Sequence, residues 1–226
     1  MPFHYRLLGK DRMALYSFIQ SLNTTFGTSI YEPVAIALAE GRFKRAEAQV
    51  KPHSRISSEA HRQIQTIMDG LTTAGRDPNK PVETQEIRSV CQRGTMNSVR
   101  LTQVDIWLES HDGKLFLIDL KTVKPNISGF QGHKRTLLEW VAAELAENES
   151  ADIHTMIGIP YNPYEPEAYK RWTMRGMFDI PNEILVADEL WDFIGGEGTY
   201  QNLLDSFEAA GIELRPEIDE YFARFQ

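Results

Sequence analysis

The chain has 226 residues, 42% of them hydrophobic and 25% charged. That balance excludes a disordered or fibrous protein and suffices to bury roughly 70–75% of the unfolded surface without cross-links. Its 24 Lys and Arg against 32 Asp and Glu give a net charge of −8, which taken whole argues against a nucleic-acid binder. The average hides a division. Residues 1–138 carry 19 basic and 13 acidic side chains (+6), whereas residues 139–226 carry 5 and 19 (−14). Such asymmetry points to a charged working surface, although solvated acidic helix faces would give the same count. The single cysteine, Cys91, excludes an intrachain disulfide or a Cys-rich zinc site and fits a reducing cytosol. The N-terminus lacks the apolar core of a signal peptide, and the longest clean apolar run, residues 34–39, is too short to span a membrane.

In chain order, residues 11–22 place Met13, Ala14, Leu15, Phe18, Ile19 and Leu22 at helical spacing. Residues 23–29, polar and containing Gly27, read as a loop. Pro33 suits the first position of a second helix over 34–39, with Glu32 just before it. Residues 42–55 are strongly basic, with Arg42, Lys44, Arg45, Lys51 and Arg55 against Glu47 alone. Ser57, Ser58 and Glu59 open another helix, whose apolar stripe is Ile64, Ile67, Met68 and Leu71. After a loop over 75–81, two strand-like runs, 99–109 and 114–123, flank the turn signal Ser110-His111-Asp112-Gly113 and should pair antiparallel. Residues 134–147 predict an amphipathic helix with Leu137, Leu138, Val141 and Leu145 inward and Glu139, Glu144 and Glu147 outward. Residues 153–159 predict a short buried strand and 161–171 an irregular stretch. The tail reads as a strand or helix over 184–193, a Gly-rich loop over 195–198 and two short helices. The order describes an α/β fold, a mixed sheet flanked by helices with a small C-terminal helical extension. One domain is expected over 1–226: a helical and basic region to 55, a core from 56 to 160 and an extension from 161.

The chemistry concentrates at Asp105 and Asp119, which interrupt otherwise apolar strands. A carboxylate there is costly to bury unless it is paired or binds a cation. The turn centres on residue 112, midway between the two aspartates, so they fall at opposite positions with Cβ atoms about 5 Å apart. Two carboxylates that close repel one another unless a divalent cation lies between them. Lys121 shares a strand face with Asp119. A hard cation on two carboxylates beside an ammonium suits phosphodiester hydrolysis, with the lysine orienting the attacking water or offsetting transition-state charge. A structural ion pair or solvent-facing strand-edge charges would leave the same short pattern.

Basic residues follow at once: Lys121, Lys124, Lys134 and Arg135, with Asn126, Ser128, Gln131 and His133 among them and no acid between 120 and 138. Such a stretch could track a nucleic-acid backbone, and Asn or Gln can read adenine edges. Arg171 and Arg175, in an aromatic and cationic run, could meet phosphates or guanine edges. A solvated loop and a surface segment are the plainer readings of these two stretches.

Asp105, thirteen intervening residues and Asp119-Leu120-Lys121 are similar to the PD-(D/E)XK nuclease motif, with Val104 where that family often has proline. Longer segments resemble type II restriction endonucleases of the TdeIII group: residues 21–35, 119–126, 134–140 and 191–200. The resemblance implies a restriction-endonuclease-like fold and a homodimer that cuts both strands of a short palindromic double-stranded DNA site, of GG-N-CC type, with Mg²⁺. It further implies a cognate DNA methyltransferase in the same genome. Asp105 and Asp119 would be the metal ligands, and Lys121 would position or help deprotonate the water. An extra acidic residue is expected from a preceding helix, Glu32 first and Glu47 second, although Glu32 could equally be a helix cap. DNA contacts would come from Lys124, Asn126, Lys134, Arg135, Arg171 and Arg175. The alternatives are a repair or junction nuclease of the same fold, a hydrolase of small phosphate esters, and a non-catalytic DNA-binding protein.

Overall fold

The structure is a computed structural model that describes residues 2–121 and 127–225. The chain opens with α1 (Pro2–Leu8) and α2 (Lys10–Thr25). The expected loop over 23–29 is absent. The helix runs through Thr25 into a π-helical turn, Phe26–Ile30, and directly on into α3 (Tyr31–Ala39). Phe26 packs its ring 5.8 Å from Tyr31 and 5.5 Å from Phe207. That aromatic burial outweighs the helix cost of Gly27, about 1 kcal/mol. The basic stretch becomes β1 (Arg45–Val50), followed by β2 (Arg55–Ser57).

Helix α4 (Ser58–Thr72) starts where its sequence signals a cap: the Ser57 hydroxyl accepts the Ala60 amide at 3.0 Å, and Ile64, Ile67, Met68 and Leu71 are buried. Next come α5 (Lys80–Arg88) and β3 (Met96–Ser98), which pairs with β2. The predicted hairpin is β4 (Val104–Glu109) and β5 (Leu115–Leu120); residues 99–103, expected within the first strand, lie outside it. Helix α6 (Ile127–Glu147) carries the chain across to β6 (Ile153–Ile159). A 3-10 turn at Arg171–Met174, α7 (Ile180–Glu183), β7 (Ile184–Val186), α8 (Asp188–Gly195), α9 (Thr199–Glu213) and α10 (Arg215–Ala223) complete it.

The five-stranded sheet has the order β1-β4-β5-β6-β7, antiparallel as far as β5 and parallel from β5 to β7. Parallel neighbours need a long crossover, and α6 supplies it between β5 and β6. One face of the sheet, with Trp107, Leu117 and Ile157, packs on α4, α5 and α6. The other, with Ile106, Leu108, Ile118 and Leu120, packs on α3 and α8. The mixed α/β sheet flanked by helices is the architecture expected. One orientation differs: Glu144 of α6, expected outward, is 5% exposed, and its carboxylate accepts the His53 amide at 3.3 Å. Among the described residues no helix is long and apolar enough to cross a membrane.

Candidate active site

The β4–β5 pairing fixes the site. Ile106 faces Ile118 and Glu109 faces Leu115, so the same register carried one step further sets Asp105 opposite Asp119 at the open end of the hairpin. The Leu120 amide donates to Asp105 Oδ2 at 2.7 Å, so a side chain takes a strand N–H where the ladder ends. Lys121 Nζ donates to Asp119 Oδ1 at 2.6 Å and to the Leu120 carbonyl at 3.0 Å. On the other side of Asp119, His133 of α6 brings Nδ1 to 3.4 Å from Oδ2. Asp119 is itself 4% exposed.

A third carboxylate arrives from α3. Gln49 of β1 donates its side-chain amide to both Glu32 oxygens at 2.8 Å and to Asp105 Oδ1 at 3.2 Å. Its backbone holds φ 54°, in the left-handed region that non-glycine residues seldom occupy. Glu47, the second choice for an added acid, is exposed and takes two 2.8 Å hydrogen bonds from Arg45; Glu32 is the acid the fold brings beside Asp105.

The two aspartates experience different fields. Burial and the charge of Asp119 push the Asp105 carboxyl up to about 6, with Glu32 adding to the effect against the Leu120 amide and Lys121. Asp119 goes the other way. Burial favours its neutral form, but the His133 hydrogen bond and the Lys121 ammonium outweigh that and lower its pKa. The result is one ionised carboxylate beside one that ionises reluctantly, at the mouth of a sheet.

Among the described residues no three Asp, Glu, His or Cys side chains form a complete ligand set by themselves. Two adjacent carboxylates of hard oxygen donors nonetheless fit Mg²⁺, which is usually held by one or two carboxylates with waters and substrate phosphate completing the shell.

The other sequence candidates disperse. Lys134, expected to contact DNA, is fully buried and donates to Glu83 and Glu183 at 2.6 Å each. It lies on the inward stripe of α6 and cannot reach a phosphate. Arg135 donates to Gln65 at 2.7 Å, and Arg171 is tied to Glu189. Arg175 is exposed. Lys124 and Asn126 lie outside the described residues. Two residues that reach the site, Gln49 and His133, carry no local signal of that role, although His133 stands in the basic run read for DNA: each meets its partner across more than a dozen positions of sequence.

A sequence model of the HinfI family of type II restriction endonucleases matches residues 1–211. The chain is 28% identical to the type II restriction enzyme MjaII of Methanocaldococcus jannaschii over 249 aligned positions, covering 98% of this chain and 65% of the relative. It is 23% identical to HgiCII and 22% identical to HgiBI, both type II restriction enzymes of Herpetosiphon aurantiacus, covering 96% and 97% of this chain and 80% of each relative. The chain therefore spans just under two-thirds of the length of MjaII and four-fifths of the other two. With 211 of 226 residues under one family match and an open pair of carboxylates beside a lysine, the chain belongs to the HinfI family of type II restriction endonucleases.

Proposed function

We infer that the protein is a Mg²⁺-dependent, site-specific deoxyribonuclease of PD-(D/E)XK type that hydrolyses both strands of a short palindromic DNA site. The observation that carries this reading is the Asp105–Asp119 pair at the open end of β4 and β5, with Lys121 Nζ 2.6 Å from Asp119. Asp105 and Asp119 would hold the cation. The chemistry Mg²⁺ supplies there is a bound water of lowered pKa and charge withdrawal from the phosphate oxygens. Lys121 keeps its ammonium at the rim through Asp119 and the Leu120 carbonyl, where it can orient the attacking water and offset the charge that develops on phosphorus oxygens. His133 holds the second oxygen of Asp119, which limits rotation of that carboxylate. Glu32, tethered by Gln49, adds negative charge on the Asp105 side and favours a divalent over a monovalent ion.

The finer features rest on the likeness to the TdeIII group: a target of GG-N-CC type, a homodimer whose twofold axis meets that of the site, and a partner methyltransferase in a cytosolic restriction system. Lys124, Asn126, Arg135, Arg171 and Arg175 stay with this reading as DNA contacts; Arg171 and Arg135 would first exchange their present partners.

Incubation with bacteriophage DNA and Mg²⁺ tests it: discrete fragments are expected, whereas a smear indicates a non-specific or repair nuclease and intact DNA overturns the reading. Asp119→Ala and Lys121→Ala should each lower the cleavage rate at least about a hundredfold while leaving DNA binding in Ca²⁺ measurable. Normal cutting by either variant would remove these residues from the mechanism.

A further inference from the structure

Beside the carboxylates lies a groove of about 570 Å³ whose wall includes Lys51, Ser54, Arg100, Thr102 and Gln103 and contains no acidic side chain. All five of these residues are exposed. Its position follows from the strands: Lys51 comes two residues after Gln49 at the end of β1, and Gln103 two residues before Asp105 at the start of β4. Its walls are fixed by hydrogen bonds. The Val99 amide donates to the Ser54 carbonyl at 2.8 Å, Trp140 Nε1 donates to the Thr102 carbonyl at 3.0 Å, and Gln103 Nε2 donates to the Gln49 carbonyl at 3.1 Å. The last bond joins the groove to the residue that holds Glu32 and Asp105.

Several other cations of the basic half, Arg45, Arg55, Arg62, Arg76, Lys80 and Lys134, are held by carboxylates. Among the described residues Lys51 and Arg100 face none. A groove two residues along β1 and β4 from the carboxylate site, lined by hydroxyl and amide donors and two uncompensated cations, complements a chain of phosphodiesters.

We propose that this groove holds the sugar-phosphate backbone of the DNA strand entering the carboxylate site, with Lys51 and Arg100 each neutralising a phosphate. The assignment rests on the nuclease reading above and adds to it the path of the substrate. It makes Lys51 and Arg100 sequence-independent contacts: they hold the strand and read no base.

Fluorescence anisotropy with double-stranded DNA in Ca²⁺ tests it, using a cognate duplex defined by digest mapping and an unrelated one. Lys51→Ala and Arg100→Ala should each weaken binding about tenfold at 0.1 M salt, by the same factor on both duplexes, and reduce the slope of log K against log salt by about 1. Lys51→Arg and Arg100→Lys should restore most of the affinity. Thermal melting should be unchanged, because neither side chain is buried or paired, and Lys114→Ala at the hairpin turn should bind as the wild type does. Variants that bind both duplexes with wild-type affinity and salt slope, while the wild type binds and cuts, would overturn the groove assignment alone. A loss confined to the cognate duplex would overturn the backbone role in favour of base reading. A wild type that neither binds nor cuts DNA would overturn the nuclease reading and this one with it.

Discussion

Asp105 accepts the Leu120 amide on one oxygen and the Gln49 amide on the other, yet its carboxyl is raised to about 6 because burial, Asp119 and Glu32 oppose ionisation. In the cation-free protein its charge is therefore a liability. Asp105→Asn retains an oxygen for the Leu120 amide and removes the repulsion, at the loss of the weaker 3.2 Å Gln49 hydrogen bond, whose acceptor becomes a donor. It should raise the melting temperature of the metal-free protein by an amount equivalent to about 1 kcal/mol, after discounting for partial solvent screening, while cleavage is lost. A melt in excess EDTA checks this, and a lower melting temperature than the wild type would contradict the account. Gln49 has the complementary role. Its left-handed backbone costs on the order of 1 kcal/mol, and the two protons of its amide nitrogen bridge Glu32 and Asp105, one of them shared between both Glu32 oxygens.

Helix α6 shows how far an element can be read from sequence. Its apolar stripe at Leu137, Leu138, Val141 and Leu145 is legible, and all four residues are buried. Lys134 falls on the same stripe, three residues before Leu137, and Glu144 three residues after Val141, yet the expectation was Glu144 outward and Lys134 on DNA, and the structure buries both. Their charge suggested the opposite, because the compensating partners come from distant elements. Glu83 lies 51 positions from Lys134 on α5, and Glu183 lies 49 positions away on α7. The hairpin is legible for the contrary reason: its turn chemistry and its register are both local, so they set Asp105 opposite Asp119 without any tertiary contact. Strand β1 was obscure, since its residues are exposed or half-exposed throughout and carry no alternation. That hid Gln49 as well. Lys134→Ala would leave buried Glu83 without its ion-pair partner and Glu183 with Lys80 alone, and should destabilise the fold by about 3 kcal/mol. Urea denaturation measures that loss; an unchanged midpoint with weakened DNA binding would instead restore Lys134 to the surface.

Over the whole molecule the +6 half offers far fewer free cations than its count suggests. Arg55 is paired with Glu147 of the acidic half, and Lys80 and Lys134 are shut inside with Glu83 and Glu183. That interior network also sets the acid response. Burial opposes ionisation of Glu183, but Lys80 and Lys134 prevail and lower its pKa below the usual 4.5. Its contribution to stability is therefore full above about pH 4.5 and is lost as pH falls through the folded value. Asp119, also lowered, acts in the same direction. Asp105 acts oppositely: with its pKa raised from 3.8 to about 6, protonation across that interval relieves a cost. The urea midpoint of the metal-free protein should accordingly hold or rise slightly from pH 7 to 5 and then drop steeply below 4.5. Glu183→Gln, which cannot titrate, should start lower at pH 7 and fall less steeply in acid. A wild-type midpoint that falls between pH 7 and 5, or an acid limb equally steep in Glu183→Gln, would show that the buried network does not govern acid unfolding.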